Sequence, residues 1–597
     1  MKTRIPFAPL LLCGYLLAAM TTTTHAEDWR TKAETTGYKE TPRYDETVTY
    51  CRRLAAASEF IHLETIGRSP EGRDILAVVA SLDKAFTPEA ARATGKEIVL
   101  INCCIHPGES EGKDACLALL RDLLINGEAR TSGLLDHAIL IVVPIHGVDG
   151  HERFGPYNRI NQNGPVEMGW RTSAQNYNLN RDWMKADAPE MRAELDLFHR
   201  WLPDLLIDTH TTDGADYQYD LTYSLEKFAN QHPAVVAWQK EAFDGHIFPT
   251  LTKMGHKIAP YITLNNPLEP KSGFNDGAGK PRFSTGYSAL WNRSALLVET
   301  HMLKDYQNRV TATYDLLKGI LAEIHRAPGA LRHATEQADR ETIAAGKKYD
   351  PARTIPLDFK SGPGSVPFEF LGVEYKHELS GVSGMPWIQF DASKPVTFTV
   401  PFFNEVVTTK QVVPPLGYIV PAAWTVVIDR LRAHGIAFTT LTQPLTQEVE
   451  TYQFDHVEWE GKPFENHHAI KEMAFHPVRR TMTFPAGSVV VYLDQPGAKV
   501  AVGLLEPDAP DSLLHWGYLD AIFEQKEYAE EYVMEPMARE MMARDPKLRE
   551  EFQTKLETDP VFAGNAAARL DFFYRRTPFF DDRLNMYPIG RLFERVP

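Results

Sequence analysis

The stretch "EIVLINCCIHPGESEGKDACLALLRDLLI", Glu97–Ile125, decides the fold. Its opening, "EIVLINCC", is a continuous apolar run, as expected of a strand buried on both faces. Its close, "EGKDACLALLRDLLI", has helical period, with Cys116, Leu117, Leu120, Leu123 and Leu124 on one stripe. A buried strand that turns into an amphipathic helix is the repeating unit of an α/β domain with a parallel sheet. Between them lie His106, Pro107, Gly108 and Glu109. Alone, a His-x-x-Glu turn is more often a polar surface turn than a metal site.

The same alternation extends outward. Upstream, "ETVTYCRRLAAAS" (Glu46–Ser58) reads as a helix. "FIHLETIGRSPEGRDILAVVAS" (Phe60–Ser81) reads as two strands joined by a Ser-Pro-Glu-Gly turn. Downstream, "HAILIVVPIH" (His137–His146), "DLLIDTH" (Asp204–His210) and "SALLVETH" (Ser294–His301) are further strands. "PEMRAELDLFHRWL" (Pro189–Leu202) is a helix opened by proline in its first turn. Together they predict an α/β catalytic domain over residues 27–335 with a mixed, largely parallel sheet.

The character changes after about residue 345. "DFKSGPGSVP" (Asp358–Pro367) reads as a linker or domain entry. "KPVTFTVPFFNEVVTTKQVV" and "TMTFPAGSVVVYLD" are β-rich, "AAWTVVIDRLRAHG" is helical, and the chain beyond Ser512 is helical and charged. Residues 345–597 are therefore expected to form a C-terminal accessory region, β-rich and then helical.

At 597 residues, with 43% hydrophobic and 24% charged, the chain has the composition of a soluble globular protein of two or three domains. Lys2 and Arg4 precede the apolar run "FAPLLLCGYLLAAM", and a small-residue stretch ends at Ala26. Residues 1–26 read as a secretory signal peptide, so a periplasmic or extracellular location is expected. The apolar run is shorter than the ~20 residues of a membrane span, so no stable anchor is expected. The net charge is −16, and the leader carries two cations and no acid, so the mature chain is more acidic still. That balance argues against nucleic acid as a partner. Outside the leader, Cys51, Cys103, Cys104 and Cys116 lack Cys-x-x-Cys spacing and are expected as buried thiols. Cys103 and Cys104 would face opposite sides of one strand.

The chemistry gathers at strand ends. His106 and Glu109 follow one apolar strand, His210 closes a second, and Glu299 closes a third. Open α/β sheets form their sites outside the carboxyl ends of strands. Two imidazoles and a carboxylate suit one Zn2+ per chain with a position left open, the mark of a catalytic site. Gly108 is expected to let the backbone bend so that both neighbours aim at one ion. Glu299 is the candidate base. "GWRTSAQNYNLNRDW" (Gly169–Trp183) adds Arg171 and Arg181, whose planar forks pair well with carboxylates. "NHHAIKEMAFH" (Asn466–His476) carries three histidines but no strand-end partner and reads as solvated. His-Glu-x-x-His, Gly-x-Ser-x-Gly and Walker motifs are absent from the sequence.

In that order, "HPGE", "WR", "NLNR", "DTH" and "LLVET" resemble the zinc metallocarboxypeptidases similar to carboxypeptidase A, over about residues 40–330. The resemblance implies an eight-stranded mixed sheet flanked by helices. It implies zinc on His106, Glu109 and His210, with Glu299 as general base and proton shuttle. It implies Arg171 as oxyanion donor, with Asn180 and Arg181 gripping a substrate's terminal carboxylate. A peptide or protein is the implied substrate. Many members carry an aspartate where this chain has Asn178; an amide oxygen can accept the same bond from a zinc-bound histidine, but without charge. The family's substrate-capping tyrosine corresponds to Tyr261 or Tyr287, and "DTHTTDGADYQYD" either lines the pocket or caps a loop. Two alternatives stand beside a C-terminal exopeptidase: a peptidoglycan stem-peptide endopeptidase or amidase of related fold, and a non-catalytic peptide-binding protein.

Overall fold

A computed structural model describes residues 28–596; the expected signal peptide lies outside them. The sheet strands are β1 (Ile61–Arg68), β2 (Asp74–Ala80), β3 (Glu97–Asn102), β4 (Ala138–Val143), β5 (Leu205–Thr211), β6 (Leu221–Leu225) and β7 (Ile258–Pro260). Two short strands, β8 (Thr263–Leu264) and β9 (Phe274–Asn275), leave the sheet, and β10 (Ser294–Thr300) returns to it. The result is an eight-stranded mixed sheet of order β1-β2-β4-β3-β5-β10-β6-β7.

Strands β4, β3, β5 and β10 run parallel at its centre. Every residue of β3, β4 and β5 is buried, so both faces are covered. The chain moves from β3 to β4 on one side and then crosses to β5 on the other. That reversal opens a crevice beyond the carboxyl ends of β3 and β5. The quoted helix runs Glu111–Leu124, and its Gly112 sets how closely it lies on β5. A Cβ there would come within 2.0 Å of the Thr209 hydroxyl.

Strand β3 stops at Asn102, and Cys104 takes a left-handed φ of 58°. Cys103 and Cys104 are thus beyond the strand rather than alternating within it. All four described cysteines are buried and free, and the Cys103 and Cys116 sulfurs lie 3.8 Å apart. Burial pushes the Cys51 thiol up to about 12, which leaves it inert at neutral pH.

The helix Ala330–Gly346 runs through the boundary expected at residue 335. Asp339 pairs with Arg293 at 2.7 Å, and the Thr335 hydroxyl donates to Asp204 at 2.7 Å, so this helix is pinned to the N-terminal α/β region. "DFKSGPGSVP" is a strand connection rather than a linker. It ends β11 (Ile355–Ser361), turns on bonds from the Gly362 and Gly364 amides to Glu405, and enters β12 (Val366–Leu379). β12 and β13 (Pro386–Phe403) form a long hairpin, and β14 (Val406–Val412) pairs with β11. The end of β13 runs parallel to β9, so this hairpin shares a four-stranded sheet with the N-terminal α/β region.

A further, six-stranded sheet follows. It contains β15 (Gly417–Val420), β16 (Thr439–Thr440), β17 (Leu445–Trp459), β18 (Ile470–Phe484), β19 (Val489–Tyr492) and β20 (Gly590–Leu592). Helices Glu531–Arg544, Pro546–Thr558 and Ala566–Tyr574 pack around a small core of Met534, Phe552, Phe562 and Phe573. The C-terminal region is thus β-rich and then helical, as its composition indicates.

The two regions share one core. The apolar helix Ala498–Leu505 is buried along nearly its whole length. A Cβ at Gly497 would come within 2.7 Å of the Trp291 ring. Each buried Val or Leu of this helix is worth roughly 1.5–3 kcal/mol against exposure, so the accessory region is fixed in place rather than tethered. A polar knot adds to this at Asp187, just beyond the "NLNR" segment. Arg430 donates to it at 2.8 Å, His467 donates at 2.8 Å, and the Tyr518 hydroxyl donates as well. Burial works against the Asp187 charge, yet His467 and Tyr518 hold its pKa well below the usual carboxylate range.

Candidate active site

His106 and Glu109 sit in the turn after β3, and His210 lies in β5. Their donor atoms all lie within 4.8 Å of one another, and all three residues are buried. The two ring Nδ1 atoms are 3.2 Å apart, and both face one carboxylate. His106 Nδ1 is 3.1 Å from Glu109 Oε1, and His210 Nδ1 is 2.9 Å from Oε2. Glu299 follows directly, because β10 pairs in parallel with β5 and sets Glu299 opposite His210.

The sequence places Gly108 in a bend, and the structure gives it a different task. It is not among the left-handed glycines. Instead, a Cβ there would lie 2.4 Å from the Gly169 carbonyl oxygen and 2.5 Å from Arg159 Cγ. The ligand turn therefore packs backbone to backbone against the loop that carries Arg171. Gly108→Ala is expected to cost about 1–3 kcal/mol by overpacking, read as a lower melting temperature. Unchanged stability would show that the two loops part freely.

The outer nitrogens of the rings are also satisfied. His106 Nε2 lies 3.1 Å from Asn178 Oδ1, and His210 Nε2 lies 3.1 Å from Asp208 Oδ2. Each acceptor favours a proton on Nε2, which leaves the Nδ1 lone pair to face a cation. This is the arrangement a metal-binding imidazole requires, so the donor set fits a divalent cation such as zinc.

The electrostatics agree. Burial pushes His106 down to about 4, which keeps its ring neutral. Burial opposes the charge on Glu109, but His106 and Arg159 hold its pKa well below the ordinary value. Burial likewise opposes a charge on His210, and Asp208 and Glu109 outweigh it and raise its pKa well above normal. Burial, with Glu109, Asp208 and Glu111 close by, pushes Glu299 up to about 8, although His210 opposes this. Crowded buried acids of this kind are relieved by a bound cation, which inverts the local pKa logic.

A cavity of about 390 Å³ opens beside these groups. Its walls include Arg171, Asn180, Arg181, Tyr261 and Glu299. Asn180 lies 3.4 Å from His210 Nε2. The Arg181 guanidinium covers the Phe283 ring at 4.4 Å and donates to the Asn180 carbonyl. Among the described residues no carboxylate pairs with Arg181, and Arg171 has only a 3.9 Å contact with Glu109. Two guanidinium groups thus reach the cavity with their forks largely unspent.

Of the two tyrosines, Tyr261 lines the cavity. Tyr287 is fully buried, with its hydroxyl 3.0 Å from His199 and 2.9 Å from His434, and belongs to the core. "DTHTTDGADYQYD" divides between the two roles weighed for it. Thr211, Thr212 and Asp213 line the cavity, whereas Tyr217 and Tyr219 pack with Phe274, Phe370 and Phe402 under the β12–β13 hairpin.

Two groups at the site escape a reading of the sequence. Asp208 shares a face with His210 by strand alternation, a signal present in "DTH" but not used. Arg159 donates to Glu109 Oε1 from a loop with no periodic signal at all. The histidine-rich stretch is also only partly solvated. His468 and His476 are exposed, while His467 reaches Asp187 and Ile470 is buried.

A sequence model of the zinc carboxypeptidase family matches residues 47–245. Carboxypeptidase 2 of Trichophyton rubrum is 24% identical over 498 residues, covering 80% of this chain and 84% of its own. Carboxypeptidase 2 of Trichophyton equinum is 23% identical over 497 residues, covering 80% and 84%. Among solved structures, a metallo-carboxypeptidase from Burkholderia cenocepacia is 17% identical with a TM-score of 0.35, covering 47% of this chain and 69% of its own. Carboxypeptidase A from Helicoverpa armigera is 16% identical with a TM-score of 0.35, covering 49% and 74%. The matched segment contains His106, Glu109, Arg171, Asn180, Arg181 and His210, and over residues 47–245 the chain is similar to the zinc carboxypeptidases.

Proposed function

We propose that the protein is an exported zinc carboxypeptidase that removes C-terminal residues from peptides. One observation carries the reading: three buried donor atoms within 4.8 Å of one another border a cavity in which, among the described residues, Arg181 has no carboxylate partner and Arg171 has a single 3.9 Å contact with Glu109. His106, Glu109 and His210 would hold the ion, and the leader-like segment 1–26 supports export. Zinc at this place supplies a Lewis acid and lowers the pKa of a water.

The remaining steps belong to side chains. Arg181 and Asn180 bind the terminal carboxylate and set the scissile carbonyl in place. Arg171, 3.9 Å from Glu109, donates to the oxygen on which charge develops, usually the largest catalytic contribution. Glu299 takes the proton of the attacking water and returns it to the leaving amine. Tyr261 closes over the bound residue. Residues 27–335 carry these groups, and the C-terminal region buttresses them through Asp187.

The test compares a peptide with its C-terminally amidated form. Loss of the charged oxygen should cost roughly 2–3 kcal/mol, or about 30- to 150-fold in kcat/KM. Arg181→Met should impose a similar loss on the free acid and remove the difference between the two substrates. Equal rates on both peptides with wild-type protein would overturn the clamp. They would favour an endopeptidase or amidase acting on peptidoglycan stem peptides.

A further inference from the structure

We propose that Glu465, presented by the C-terminal region, is a positioning residue for His106 and acts through the side-chain amide of Asn178. The inference rests on the reading of His106 as a metal ligand.

Asn178 stands between two partners. Its Oδ1 is 3.1 Å from His106 Nε2, and its Nδ2 donates to Glu465 Oε1 at 3.5 Å. A carboxamide can turn either end toward a neighbour, and only its oxygen serves His106 when Nδ1 faces the metal. An acceptor on the opposite side removes that choice. A carboxylate there holds the NH2 end and leaves the oxygen toward the imidazole. Chains of hydrogen bonds also polarise one another, so the charge lost by having Asn178 in place of an aspartate is partly restored one link further out.

The loop is built to deliver this group. Glu465 and Asn466 have φ of 48° and 70°, two successive non-glycine residues in the left-handed region. Positive φ at both central residues is the ordinary geometry of a two-residue hairpin turn, which fixes the direction of the side chains at its tip. Here the backbones of Phe464 and His467 bond to each other in both directions. Phe464 stacks on Trp516 with ring planes 17° apart, and His467 is tied to Asp187 at 2.8 Å. The turn is clamped on both sides, and Glu465 projects from its tip toward Asn178. The site is therefore a composite of residues 287 positions apart in the chain.

The test is zinc affinity of the full chain, measured by competition with a chelator, for wild type, E465A and N178D/E465A. E465A should weaken zinc binding about tenfold, the low end of the range for outer-shell partners of metal ligands. N178D in the same background should recover at least half of that loss on a logarithmic scale, because the carboxylate then sits beside His106 itself. A variant that merely misfolded would not be rescued. Equal affinity in wild type and E465A overturns the inference, as does N178D/E465A no tighter than E465A. Should E465A change KM for peptide and leave zinc affinity untouched, Glu465 acts on Arg181 instead and the inference fails. Wild-type protein that binds no zinc overturns the metal-site reading, and this one with it.

Discussion

Glu299→Gln is expected to lower kcat/KM on a free-acid peptide by roughly 10³-fold while zinc binding stays at the wild-type level. The substitution keeps the volume and one acceptor oxygen but removes the one carboxylate that, among the described residues, is buried in the cavity wall outside the donor triad. A positioned general base contributes about 10²–10⁴-fold. The upper half of that range is expected here, because in the proposed mechanism Glu299 serves both transfers, first from water and then to the leaving amine. Its register explains why one residue reaches both: β10 aligns Glu299 with His210 at the sheet's carboxyl edge. Glu299 is not needed to assemble the donor triad, so metal content should not follow activity. Measured kcat/KM within tenfold of wild type, with zinc bound, would remove Glu299 from the proton path.

His210→Ala is expected to abolish stoichiometric zinc binding and activity together, and to destabilise the metal-free protein by about 3 kcal/mol. Two buried acids lean on this ring from opposite sides: Glu109 at 2.9 Å and Asp208 at 3.1 Å. Removing the shared partner leaves buried charge uncompensated, which typically costs about 3–5 kcal/mol. The lower value applies because Glu109 keeps the Thr211 amide and Arg159, and Asp208 keeps the Ser284 hydroxyl at 2.6 Å. Zinc titration and thermal unfolding of the metal-free forms check the two halves separately. A variant as stable as wild type would show that the acids take up protons at no cost.

Much of this site was legible in the sequence because strand ends are local features. β3, β5 and β10 announce themselves as apolar runs, and the residue that closes each run is placed by the run itself. His106, Glu109, His210 and Glu299 could thus be grouped before any contact was known. Arg171, Asn180 and Arg181 lie on a loop without period, and their reading came from the resemblance of "WR" and "NLNR" to a family pattern. The choice between Tyr261 and Tyr287 could not be made at all, since both are tyrosines in the same stretch. Only packing shows that one lines the cavity and the other hydrogen-bonds two histidines in the core.

Gly108 marks the boundary between the two kinds of knowledge. The sequence shows a glycine in a turn; the Gly169 carbonyl at 2.4 Å from its missing Cβ is a fact of two loops meeting. Arg159 on Glu109, the Asp187 knot and Glu465 on Asn178 are of the same sort. By itself the sequence determined the strand order of chemistry, because hydrophobic period and chain direction are written in neighbouring residues. The tertiary structure alone decided which distant loops close over that chemistry. Their course is set by crossovers and by a core shared between two regions, and polar loop residues carry no local pattern that records it.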